Sequence, residues 1–114
     1  MYYTYMLRCK DNSIYTGITN NLNKRMSEHF SKHKNGAKYT KSHDAIKVEA
    51  VWQTKEKSLA CKLEYNIKHL TKIEKENLII RKKIKEYLSG KVDCRRYKVI
   101  DFSKMLNGEF FENK

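Results

Sequence analysis

Along residues 2–9, YYTYMLRC, Tyr3, Tyr5 and Leu7 alternate with Thr4, Met6 and Arg8, the period-two pattern of a strand. Lys10-Asp11-Asn12-Ser13 supplies turn residues, and residues 14–18 resume the strand pattern, so the two form a β-hairpin. The pattern then changes period. Asn20 or Asn21 can cap a helix that runs to about Ser31, with Leu22, Met26 and Phe30 as its apolar stripe. Residues 32–45 read as a basic, glycine-containing loop. Alternation returns over 46–53, IKVEAVWQ, where Ile46, Val48, Ala50 and Trp52 define a third strand and Val51 interrupts the polar set. Thr54 is a fair N-cap for a helix over about 55–70, with Leu59, Leu63, Ile67 and Leu70 on one face. Thr71 and Glu74 have capping-box spacing, which starts a further helix at once. That helix is expected to run to about Leu88, where Ser89-Gly90 stops it.

The predicted order is β-β-α-β-α-α. It specifies an α+β domain, a small three-stranded antiparallel sheet flanked by helices, over residues 1–90, with 91–114 as a C-terminal extension of unknown role. A chain of 114 residues has room for one core, and with no proline and four glycines it contains no evident linker. The formal net charge is +12, and basic residues exceed acidic ones in each of the stretches 1–45, 46–90 and 91–114. An excess this large and this evenly spread points to a polyanionic partner, nucleic acid before an anionic membrane surface. There is no apolar run long enough to span a bilayer and no export-signal pattern, which together indicate a cytoplasmic protein. Cys9, Cys61 and Cys94 are far apart without a C-x-x-C pair, so free thiols are expected and a cysteine-based zinc site is not.

Four predicted elements carry polar residues at the edges of their apolar faces. His29 falls within the first helix's stripe, and Arg25, four residues earlier, lies beside it. An isolated Arg here would normally lay its stem along the core with its head in water. Glu64 sits at the edge of the next helix's stripe, one turn after the small Ala60; a solvated flank or an ion pair with Arg25 would explain it structurally. Tyr5 and Tyr15, taken singly, read as core tyrosines. The set is more informative than its members. Tyr5, Tyr15, Arg25, His29 and Glu64 all come from face-edge positions on adjacent elements.

The order Tyr3-Thr4-Tyr5, hairpin, Tyr15-Thr16-Gly17, a helix with Arg25 and His29, a strand, and a helix with Glu64 resembles the GIY-YIG endonuclease family. "GAKYTK" and "EYNIKHLTKIEK" resemble its short stand-alone bacterial branch, which is similar to the nuclease domain of the eukaryotic structure-specific endonuclease subunit. The resemblance covers residues 2 to about 80. Tyr3 and Thr4 stand where the family has glycine and isoleucine, and Thr16 replaces a second isoleucine. Asn77 is not a match to the later asparagine of the homing-endonuclease members.

The resemblance implies metal-dependent hydrolysis of phosphodiester bonds in DNA, with RNA left open, at branched, nicked or single-stranded sites in repair or recombination. It implies Glu64 as ligand to Mg2+ or Mn2+, and Arg25 on the phosphate. Tyr5 is expected to act as general base or relay once nearby cations lower its pKa, with His29 taking the proton and Tyr15 orienting the water or phosphate. Lys38, Tyr39, Lys41 and Lys68 are candidate nucleic-acid contacts. A domain this small is also a candidate for a protein partner that supplies specificity. The alternative is a non-catalytic nucleic-acid-binding module that kept the fold.

Overall fold

The computed structural model describes residues 1–30 and 44–102. In chain order these form β1 (Tyr2–Cys9), β2 (Ile14–Thr19), α1 (Leu22–Phe30), β3 (Ala45–Thr54), α2 (Lys57–Lys68), α3 (Lys72–Arg81), α4 (Lys85–Leu88), a 3-10 turn (Cys94–Arg96) and β4 (Lys98–Val99). The sheet is antiparallel throughout, in the order β2-β1-β3-β4. It has four strands where three were expected. The fourth is two residues long and comes from the C-terminal extension, with Val99 opposite Trp52 and Lys98 opposite Gln53.

Both faces of the sheet are covered. On one, Met6, Ala50 and Trp52 pack with Leu63 and Ile67 of α2, Leu78 and Ile79 of α3, and Leu88 of α4. On the other, Tyr5, Leu7, Val48 and Val51 pack with Leu22 and Met26 of α1 and with Phe102. This explains why Thr4 and Met6, the polar side of the β1 alternation, are as buried as Tyr5 and Leu7. Residues 91–102 belong to the same body: Val92 joins the first core and Phe102 the second.

The third strand departs from its sequence pattern. Leu7 pairs with Val48 and Met6 with Ala50, so Glu49 is an extra residue, a β-bulge. The bulge reverses the phase of the alternation. Val48 therefore faces α1 whereas Ala50 and Trp52 face α2 and α3, Val51 is buried, and Ile46 is exposed.

Local signals account for the starts of α1 and α3. Asn21 caps α1, its Oδ1 accepting from Lys24 N at 3.2 Å. The Thr71–Glu74 capping box is formed in both directions. Thr54 does not cap α2; it ends β3, and Glu56 occupies the N-cap without a side-chain hydrogen bond. The expected helix to Leu88 is broken at Lys82, whose φ of 58° is left-handed, and the chain restarts as the short α4.

Candidate active site

The hairpin register places Tyr5 opposite Gly17 and Leu7 opposite Tyr15, so both tyrosines lie on the α1 side of the sheet. Gly17 has a steric function. A Cβ built there would lie 2.6 Å from the Tyr5 hydroxyl and 2.9 Å from the Tyr15 ring, too close for any other residue unless the rings move. The ring centroids of Tyr5 and Tyr15 are 6.2 Å apart.

Helix α1 crosses above this pair. His29 is buried, with its ring 5.5 Å from that of Tyr5 and 5.4 Å from that of Tyr15. The Tyr5 hydroxyl and His29 Nε2 are 2.8 Å apart. Burial and then the charge of Arg25 push the His29 pKa down to about 4, against the opposing pull of Glu28, so the ring is neutral at physiological pH. In the Nδ1–H tautomer its Nε2 accepts the Tyr5 proton, and the Arg25 guanidinium lies close enough to the phenol to favour its ionised form.

Arg25 alone does not bring the Tyr5 pKa down. Tyr5 is 1% exposed, and burial, reinforced by Tyr15 and Glu64, raises its pKa well beyond the ordinary phenol range despite Arg25. At rest Tyr5 is a protonated donor.

Arg25 lies at the rim with its side chain 26% exposed, and its NH1 is 2.7 Å from Glu28 Oε1. Glu28 did not stand out in the sequence, although its three-residue spacing from Arg25 was the available signal. Glu64, on α2, pairs with Lys68 one turn later at 3.3 Å, its side chain 24% exposed. The structural alternative of a Glu64–Arg25 ion pair is thus replaced by two local pairs. Glu64 still acts electrostatically on the Tyr5 phenol, so α2 and α1 serve one neighbourhood from opposite sides of the hairpin. Lys68 is brought next to the other candidate residues only as the partner of Glu64. Lys38, Tyr39 and Lys41 lie outside the described residues. Asn77 donates to the Tyr87 hydroxyl at 3.1 Å and is structural.

No group of three or more His, Cys, Asp or Glu side chains among the described residues is arranged to hold a metal ion, so the protein's share in binding one would be the single Glu64 carboxylate. That donor set fits Mg2+, which is commonly held by one or two carboxylates together with waters and substrate phosphate. Among the described residues no helix is long and apolar enough to cross a membrane.

Comparison with known proteins identifies the family of the chain. Residues 1–77 match the family described as GIY-YIG catalytic domain. A UPF0213 protein of Fusobacterium nucleatum is 53% identical over 78 residues, 68% of this chain and 76% of its own length. A UPF0213 protein of Clostridium perfringens is 45% identical over 86 residues, 75% of this chain and 90% of its own. The solution NMR structure of a UPF0213 protein from Bacillus halodurans is 40% identical, covers 72% of this chain and 86% of that one, and superposes with a TM-score of 0.48. The family match spans every residue of the tyrosine, arginine, histidine and glutamate set, and the chain belongs to the GIY-YIG family.

Proposed function

We propose that this protein is a metal-dependent endonuclease that hydrolyses phosphodiester bonds in DNA, at branched, nicked or single-stranded sites arising in repair or recombination. Family membership supports a nuclease-like function. The observation that carries the reading to these residues is the Tyr5–His29 contact at 2.8 Å, with Arg25 and Glu64 both acting on the same phenol.

Each group has a defined task. Glu64 would hold Mg2+ or Mn2+, and a bound cation supplies positive charge to a phosphate oxygen and to the leaving 3′-oxygen. Arg25 exchanges its Glu28 pair for the scissile phosphate, where a fixed, forked cation meets the charge that grows in the transition state. Tyr5 cannot begin as a phenolate. It serves as a relay, handing its proton to neutral His29 as it takes one from the attacking water. Tyr15, packed against both rings, orients the water or the phosphate. DNA is the partner; localisation in the cytoplasm and a protein partner that supplies specificity are part of the same proposal.

The enclosure of the Tyr5 hydroxyl favours one competing reading, a nucleic-acid-binding module without catalysis. Labelled single-stranded, duplex, flap and four-way-junction DNA, incubated with Mg2+, Mn2+ or EDTA, distinguishes the two. The nuclease reading expects metal-dependent cutting by the wild type that is lost in Glu64→Ala. Salt-sensitive binding with no cutting under either metal would support the binding module instead.

A further inference from the structure

At the far edge of the sheet from β2, a cavity of about 530 Å³ opens between the α3–α4 junction and the C-terminal strand. Its size lies within the roughly 300–1,000 Å³ typical of small-molecule sites. Trp52, Ile84, Tyr97 and Val99 form its apolar walls. The Tyr97 hydroxyl donates to the Leu59 carbonyl at 2.7 Å, which fixes the position of the ring. Lys82, Lys83 and Lys85 line the same cavity. Its one carboxylate, Glu86, is answered by Arg81 at 3.2 Å. Trp52 is 1% exposed, and its indole N–H is enclosed with no hydrogen-bond partner. A buried donor left unpaired costs about 1–3 kcal/mol in general, and native folds rarely leave one without a reason.

These features describe one kind of ligand. The Tyr97 ring suits a planar base, and the exposed Lys83 and Lys85 ammonium groups suit a phosphate, with Lys82 tied to the Ile79 carbonyl at 2.7 Å. We propose that this cavity binds a single unpaired nucleotide of a nucleic-acid strand, its base against Tyr97, above the buried Trp52, and its phosphate between Lys83 and Lys85. A strand as the source of that nucleotide rests on the nucleic-acid reading above; the pocket itself does not. The proposal also gives the "RKKIK" stretch, residues 81–85, a function beyond that of a solvated helix face, and makes the C-terminal residues Tyr97 and Val99 part of a binding site.

Trp52 is the only tryptophan, so intrinsic emission excited at the red edge of indole absorption reports on this pocket alone. The full chain is titrated with a short oligodeoxyadenylate, AMP, adenosine and inorganic phosphate. The expected result is a saturable change in emission with the oligonucleotide at the lowest concentration, with AMP at a higher one, weakly with adenosine and not at all with phosphate. Lys83→Glu/Lys85→Glu, a reversal at two exposed positions that leaves the core intact, should weaken the oligonucleotide response about tenfold or more and flatten its salt dependence. A titration identical in this variant, a response to phosphate alone, or oligonucleotide binding that leaves Trp52 unmoved would overturn the proposal. AMP binding as tightly as the oligonucleotide would overturn the strand as its source. Running the series in Glu64→Ala separates the two proposals. Loss of cutting with the Trp52 response intact leaves this site standing, and cutting without any response removes it.

Discussion

Arg8 and Arg25 both lie at the border of a buried face, yet their surroundings give them different work. Arg8 bridges three parts of the chain. Its Nε donates to Glu49 on the β3 bulge at 2.9 Å, and its two terminal nitrogens grip Glu76 of α3 at 2.6 Å each. Two carboxylates answer one guanidinium, and Lys72 and Lys47 complete the cluster. Among the described residues, Arg25 pairs with Glu28, three residues away on its own helix, and lies beside the Tyr5 phenol. A helical pair at that spacing is typically worth about 0.2–0.5 kcal/mol, so a phosphate can displace Glu28 at small cost. Arg8 is tied to two other elements of the fold, whereas the Arg25–Glu28 pair stays within α1. The partners of an arginine, more than its burial, indicate its role.

The comparison is sharpest where catalysis is read. Arg25→Ala should slow single-turnover cleavage by about 100- to 1,000-fold, the usual cost of removing a transition-state donor, with stability changed by no more than about 0.5 kcal/mol. Arg8→Ala should do the reverse. It leaves the buried Glu49 with only the exposed Lys47 at 3.6 Å, so urea unfolding should show a loss of about 3 kcal/mol, while the cleavage rate of the folded fraction holds. A large rate effect at Arg8 would break the distinction.

Tyr5→Phe tests the relay between them. His29 Nε2 loses its 2.8 Å partner, so about 1–3 kcal/mol of stability should go, together with most cleavage. Retained cleavage in this variant would remove Tyr5 from the proton path.

The pH dependence has a definite sign. The fold lowers the His29 pKa from 6.5 to about 4, so the unfolded chain binds the proton more readily. The stability due to keeping His29 neutral is complete above about 6.5 and is lost as pH falls toward 4. His29→Gln should flatten the wild-type stability curve in that window. The acid limb of kcat/KM should lie well below the pH of an ordinary histidine, and a limb near 6.5 would show that His29 charges in the working enzyme.

Lys68→Met should have the smallest effect. It frees Glu64 from its 3.3 Å pair, and DNA affinity should fall modestly, with the salt dependence of binding reduced by about one phosphate contact. No change in that slope would confine Lys68 to its pair with Glu64.

How much of this could be read from the chain follows from distance along it. The hairpin and the Thr71–Glu74 box are settled within a few residues and were legible, and the helix cap was narrowed to Asn20 or Asn21, of which Asn21 caps. The neighbouring of Arg25 and His29 was legible for the same reason. The Arg8 cluster joins residues 41 and 68 positions apart, and no local pattern announces it. The bulge at Glu49 was hidden because Val48, Ala50 and Trp52 alternate in sequence while the extra residue shifts their phase, with Val51 in the polar set as the single local sign. The break at Lys82 carries neither glycine nor proline, and a lysine at φ 58° is not something periodicity can foresee. At the candidate site the sequence could name Tyr5 but not its environment, because burial on the α1 face outweighs the cation beside it.

The most direct test of the account is a paired measurement on Arg25→Ala and Arg8→Ala: urea midpoints, and single-turnover rates on whichever DNA the wild type cuts best with Mg2+. The account predicts a crossed result, rate lost with stability kept for Arg25→Ala, and stability lost with rate kept for Arg8→Ala. Parallel losses in both variants, or a full cleavage rate in Arg25→Ala, would contradict it.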